Sequence, residues 1–183
     1  MTRSMLAAAV MLSGAAPALA QQTAAGLSGD LMNATKQVET KVLGLANVMS
    51  AAQYDWRPAQ GVRSVGEVLL HIAADNYFLP IALGVAAPAA TKIVAGDYAT
   101  VQAYENQQLG RDATIAEVRA SFEHLQRAMA QIPESRMNET LTLFGTQFTV
   151  RSLLLLTTTH LHEHLGQMIA YARSNGVTPP WSR

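Results

Sequence analysis

Two of the chain's five histidines stand four apart in His160-Leu161-His162-Glu163-His164-Leu165-Gly166-Gln167. On a helix, that spacing turns a side chain by about 40°, so both imidazoles fall on one stripe and can chelate one ion. His162 lies about 200° from His160 and should face away. The order is not that of the zinc proteases, which need glutamate directly after the first histidine; Leu161 stands there instead. Such a pair also occurs on helices that bind nothing. A third candidate is His71, in Val68-Leu69-Leu70-His71-Ile72, beside an apolar face of Val65, Val68, Leu69 and Ile72. Alone, His71 would read as a hydrogen-bonded core residue. Burying an unpartnered imidazole gains little, however, and facing helices of a bundle commonly build metal sites. His71, His160 and His164 would together supply three nitrogens, leaving a tetrahedral zinc one open position for water or a substrate atom. The chain has no cysteine, so sulfur ligation, thiolate catalysis and disulfides are excluded, and any metal is held by nitrogen and oxygen.

Other side chains have two readings each. Glu67 and Asp75 lie one turn either side of His71, so either could orient its ring; the alternatives are a helix cap for Glu67 and a solvated face for Asp75. Gln167 lies near the histidine stripe but could bond within the core, and Tyr171, one turn on, reads as packing. His124 and His162 read as surface residues, and Trp56 and Trp181 as covers for the ends of the fold. No glycine-rich phosphate loop or Ser-His-Asp arrangement is present.

Four long helical periods must position these groups. Leu31, Val38, Val42, Leu45, Val48 and Met49 recur at helical spacing from about Leu27 to Ala52, with Ser28 as a candidate cap. A connector with Pro58 and Gly61 follows. Ser64-Val65-Gly66-Glu67 is a capping box that opens a second helix from Val65 to about Leu83, with Pro80 expected to kink or fray its end. Residues 84–113 hold Pro88, Gly96 and Gly110, with a short helix expected at Val101–Gln108; a connection this long suggests a crossover or a cover over a site. Thr114-Ile115-Ala116-Glu117 reads as another capping box, opening a third helix to Ile132. Polar and apolar residues alternate across 139–149 around Gly145, which predicts a two-stranded flap. The fourth helix should run from Val150 to Ser174, stopped by Asn175-Gly176. Four amphipathic helices without β-α alternation give an all-α four-helix bundle over residues 27–176, followed by a tail at 177–183.

The first twenty residues read as a cleaved signal peptide: Arg3, an apolar run from Met5 to Ala16, then Ala18-Leu19-Ala20. Export to a periplasmic or extracellular location is the expectation, with no membrane contact after cleavage. Loss of Arg3 leaves 12 basic and 13 acidic residues, from 13 and 13. With charged residues at 14%, that balance argues against a nucleic-acid partner. A small-molecule substrate is expected instead, and a homodimer is compatible with the sequence.

The two histidine motifs also carry a resemblance. Trp56-Arg57-Pro58-Ala59-Gln60-Gly61-Val62-Arg63-Ser64-Val65-Gly66-Glu67-Val68-Leu69-Leu70-His71-Ile72-Ala73 and His160-Leu161-His162-Glu163-His164-Leu165-Gly166-Gln167 resemble the paired signatures of the DinB-like (DinB/YfiT) superfamily, as does the ending Asn175-Gly176-Val177-Thr178-Pro179-Pro180-Trp181. The resemblance covers nearly the whole chain after residue 20. It implies an up-down-down-up four-helix bundle with zinc or nickel on His71, His160 and His164, and in several members a low-molecular-weight thiol as cosubstrate. Leu165 departs from it, since arginine often follows the second motif histidine. A metal-dependent hydrolase or transferase is the resulting expectation. A non-catalytic metal or small-ligand binding protein of the cell envelope is the alternative.

Overall fold

The computed structural model describes residues 26–143 and 145–182. The signal peptide expected at residues 1–20 lies outside the described residues. Six α-helices and one hairpin follow in order: α1 (Leu27–Val48), α2 (Ala51–Tyr54), α3 (Val65–Ala82), α4 (Tyr98–Glu105), α5 (Arg111–Ala130), β1 (Thr140–Leu143), β2 (Thr146–Thr149) and α6 (Val150–Ser174). The four long helices form a bundle in which α1 packs on α5 and α6, and α3 packs on the same two. Chain-consecutive α1 and α3 therefore lie across a diagonal, as do α5 and α6. The segments joining them must cross the bundle end, which accounts for the structure within those connections.

α3 is the most enclosed element. Val65, Val68, Leu69, Leu70, Ile72, Ala73, Ala74, Tyr77 and Phe78 are all buried, and these positions go right round the helix rather than along one stripe. A helix apolar on every side must be enclosed by neighbours, and α4, α5 and α6 supply them. Its start is fixed as the sequence predicts: Ser64 Oγ accepts from Glu67 N–H, and Glu67 Oε2 accepts from Ser64 N–H at 2.7 Å. Pro80 is carried within α3, which ends two residues later.

Several expectations are corrected. The first helical period breaks at Met49, and Ser50 caps a separate short helix, α2. Ser28 caps nothing; α1 starts after Gly26, and Ser28 N–H donates to Glu134 Oε1 at 2.8 Å. Thr114 does not open α5, which begins three residues earlier at Arg111. The Thr114 hydroxyl instead donates back to the Gly110 carbonyl at 3.1 Å, and Glu117 accepts from the Tyr104 hydroxyl at 2.7 Å, so both capping-box partners are taken up elsewhere. The short helix expected at 101–108 lies at 98–105, opened by the Asp97 carboxylate accepting from Ala99 N–H.

The flap is an antiparallel pair, Thr140 opposite Thr149 and Leu143 opposite Thr146, with Gly145 at φ +74° in its turn. β2 runs directly into α6, because Thr149 is both its last residue and the N-cap of the helix, accepting from Ser152 N–H. At the far end, Pro180 and Trp181 lie against Gly44 of α1. No helix among the described residues is long and apolar enough to cross a membrane.

Candidate metal centre

α3 and α6 are neighbours in the bundle, and their facing surfaces bring His71, His160 and His164 together. One ring nitrogen from each lies within 4.8 Å of the others. His160 Nε2 and His164 Nε2 are 3.1 Å apart. The His71 ring stands edge-on to both, with centroids at 5.4 Å from His160 and 4.6 Å from His164. Nitrogens sharing a zinc at ordinary bond lengths lie roughly 3–4 Å apart, so the grouping has the right scale. His162 turns away as its helical phase predicts, exposed, with Nδ1–H donating to the Thr158 carbonyl at 2.8 Å.

The outer hydrogen bonds decide which nitrogen of each ring carries its proton. The Tyr171 hydroxyl donates to the Arg63 carbonyl at 3.2 Å, so it accepts from Gln167 Nε2 at 2.9 Å. That pins the Gln167 carbonyl toward His164, where it accepts from Nδ1–H at 3.0 Å. His164 Nε2 is left with its lone pair facing the cluster. On the other helix, Glu105 Oε1 accepts from His71 Nδ1–H at 2.8 Å, and Glu105 is itself held by the Arg63 guanidinium at 2.8 Å. His71 Nε2 is likewise left as an inward acceptor. Two of the three rings are thus preset as neutral Nε2 donors, the arrangement a metal requires of imidazole.

Asp75 stands inside this group. Its Oδ2 accepts from His160 Nε2–H at 2.8 Å and lies 3.5 Å from His71 Nε2. The hydrogen bond to Asp75 raises the His160 pKa above its ordinary value, against the opposing effect of burial. Burial lowers that of His164, opposed by the Gln167 hydrogen bond and reinforced by the charges of His160 and His71. Burial alone would raise the pKa of Glu105, but the hydrogen bonds and charges of His71 and Arg63 hold it below the usual range. His160 and His164 are therefore biased in opposite directions, and a carboxylate oxygen of Asp75 stands beside the His160 and His71 nitrogens.

The remaining sequence candidates sort clearly. Glu67 is the cap, paired with Arg57 at 2.9 Å, and does not reach His71. Asp75 is not on a solvated face. Gln167 and Tyr171 orient His164 rather than only filling space, while Tyr171 also takes the edge of Trp56 at 5.2 Å. His124 is not a surface residue: it is buried on α5, 5.4 Å from Tyr77 ring to ring. Glu105 has no place in the sequence reading. It falls in the long connection whose only legible signal was a short helix, and its use depends on how α4 folds back over α3.

A sequence profile of the DinB superfamily matches residues 34–168. The chain belongs to the DinB superfamily. Solved structures of this superfamily share its fold. A DinB-like protein from Bacillus cereus aligns with a TM-score of 0.67 at 15% identity, over 83% of this chain and 95% of that one. YfiT from Bacillus subtilis, described as a probable metal-dependent hydrolase with an unusual four-helix bundle topology, aligns with a TM-score of 0.65 at 15% identity, over 82% and 89%. A mycothiol-dependent maleylpyruvate isomerase aligns with a TM-score of 0.60 at 13% identity, over 77% of this chain and 60% of that one. Among curated proteins, none matches the chain. At these identities the likeness speaks for the fold, and the case for a metal centre rests on the donors described above.

Proposed function

We propose that this DinB superfamily member is a metal-dependent hydrolase whose divalent ion, zinc before nickel, is held by His71, His160 and His164. The observation that carries the reading is the convergence of one nitrogen from each of the three imidazoles within 4.8 Å of one another, with Asp75 Oδ2 held beside them by the proton that His160 Nε2 would give up to bind the ion. A divalent ion there would supply Lewis acidity, polarising a substrate carbonyl and making water more acidic. Asp75 Oδ2 is the group placed to take the proton from an attacking water and return it to the leaving group. Glu105 and Gln167 hold the His71 and His164 rings in the tautomers described. The long helices bury Phe122, Leu45, Met49, Leu69, Ile72 and Leu153 in an apolar core of their own, which favours a chemical over a structural role for the ion. Export, inferred from residues 1–20, suits hydrolysis because water is the only cosubstrate required. The name of the isomerase supports a thiol-dependent transferase as a weaker variant of the same reading.

One observation favours a second reading. Asp75 lies against two of the three imidazoles, and were it to join them as a fourth donor, the closed site would hold its metal without turning over substrate. The two readings part in the Asp75→Asn protein. Zinc affinity and hydrolysis of a panel of esters and amides would be measured together, with helicity by circular dichroism as the control. The hydrolase reading expects zinc to be retained and kcat to fall by about 100-fold or more, as for loss of a positioned base. Loss of zinc, with no turnover by the wild-type protein across the panel, establishes the binding protein instead.

A further inference from the structure

A cleft of about 440 Å³ is walled by the end of α3, the segment leading into α4, and the β1–β2 hairpin. Phe78, Ile81 and Ala82 line it from α3, Tyr98 from α4, and Thr142 and Leu143 from the hairpin. Its size is in the ordinary range for a small-molecule site. Three observations tie it to the centre. Asp75, Phe78 and Ala82 follow His71 at intervals of four, seven and eleven residues, so all four occupy one stripe of α3. At about 1.5 Å rise per residue, Phe78 is roughly 4.5 Å and Ala82 roughly 10 Å along the axis from Asp75. Tyr98 stands with its ring centroid 6.2 Å from that of Phe78 and opens the helix that ends at Glu105. α4 thus spans from the cleft at its first residue to the His71 partner at its last. Finally, among the described residues no lining side chain is ionisable at neutral pH, whereas the centre holds three imidazoles and two carboxylates. A charged substituent entering the cleft would lose water and meet no counter-charge. The cleft shares no residue with the centre and is joined to it through the α3 stripe and α4.

We propose that this cleft takes the uncharged apolar part, an alkyl or aryl group, of a substrate whose polar reacting group sits at the histidine centre. The proposal rests on the metal-centre reading for the position of the reacting group, but the cleft can be tested without it. Acetohydroxamate, hexanohydroxamate and the monohydroxamate of adipic acid would be titrated calorimetrically into the zinc-loaded full chain. Four added methylenes, in a cleft open on one side, should tighten binding by about tenfold or more. The terminal carboxylate of the adipic compound should cancel that gain. Ala82→Trp, which fills the cleft, should abolish the gain while leaving acetohydroxamate affinity unchanged. In parallel, hexanamide would be titrated into metal-free wild-type protein, following the methyl resonances of Ile81 and Leu143. Saturable shifts at those methyls support the cleft even if acetohydroxamate fails to bind, an outcome that would overturn the metal reading alone. Equal affinity for the short and long hydroxamates, with no hexanamide shifts, overturns the proposal.

Discussion

His71 and His124 lie on adjacent helices and are almost equally enclosed, at 8% and 6% exposed. Their surroundings differ completely. His71 has a carboxylate on Nδ1, another carboxylate near Nε2, and two further imidazoles edge-on to its ring. His124 packs against Tyr77, and its Nε2 has no hydrogen-bond partner among the described residues. Burial lowers the His124 pKa, with the charge of Arg127 adding to the effect. Enclosure by itself therefore says little about chemistry. What separates the two is convergence: several polar groups on different helices aimed at one point, with the His71 and His164 rings held from behind.

Substitutions at the two positions should separate most sharply in metal content. His71→Ala should lower bound zinc from about one ion per chain to a small fraction, since two imidazoles hold an ion poorly. His124→Ala should leave zinc content unchanged, and elemental analysis after dialysis compares them directly. Equal losses in the two proteins would mean that the convergence has no role in binding. A smaller effect is expected at Glu105, which touches His71 but not the other two rings. Glu105→Gln should weaken zinc by about tenfold, the lower end of what orienting partners contribute, because an amide carbonyl can still accept from Nδ1–H. Competition with a chromogenic chelator would read this.

The smallest effect distinguishes the regions by sign in the metal-free protein. His124 has a depressed pKa, so the unfolded chain takes up its proton first as pH falls. Stability linked to His124 is present above its ordinary value of 6.5 and is lost below it. His160 has a raised pKa, so its contribution is present below 6.5 and is lost as pH rises through its folded value. His124→Leu should therefore reduce the acid loss of stability, while costing no more than about 1.5 kcal/mol at pH 7. His160→Ala should steepen that loss instead. Urea unfolding of the chelated proteins at several pH values would test both; parallel pH slopes in all three proteins would show that neither imidazole is linked to folding.

How much of this was legible in the sequence follows from how local each signal is. The Ser64 cap and the Val150–Ser174 span were readable because both depend on neighbours in the chain. The phase of His160, His162 and His164 was equally local. Thr114-Ile115-Ala116-Glu117 is not the helix start because α5 begins at Arg111, which lets the Thr114 hydroxyl bond back to the Gly110 carbonyl, and because the approach of α4 gives Glu117 to Tyr104. His124 was misread because α3, apolar all round, needs α5 to cover a side that a two-sided amphipathic picture leaves open. Glu105 and the exact use of Asp75 required two helices and a connection to be placed in space. The 84–113 stretch has too little periodicity to announce that.

Arg63 meets the centre through two chemically different parts of itself. Its guanidinium holds Glu105 behind His71, while its main-chain carbonyl receives the Tyr171 hydroxyl that, through Gln167, sets His164. Only the first of these is written in the codon. Any replacement of Arg63 keeps the carbonyl, so a mutation there strips support from His71 and spares that of His164. To a genetic screen the residue would look dispensable for half of its work, and the heritable control of the two rings is unequal even though one residue serves both.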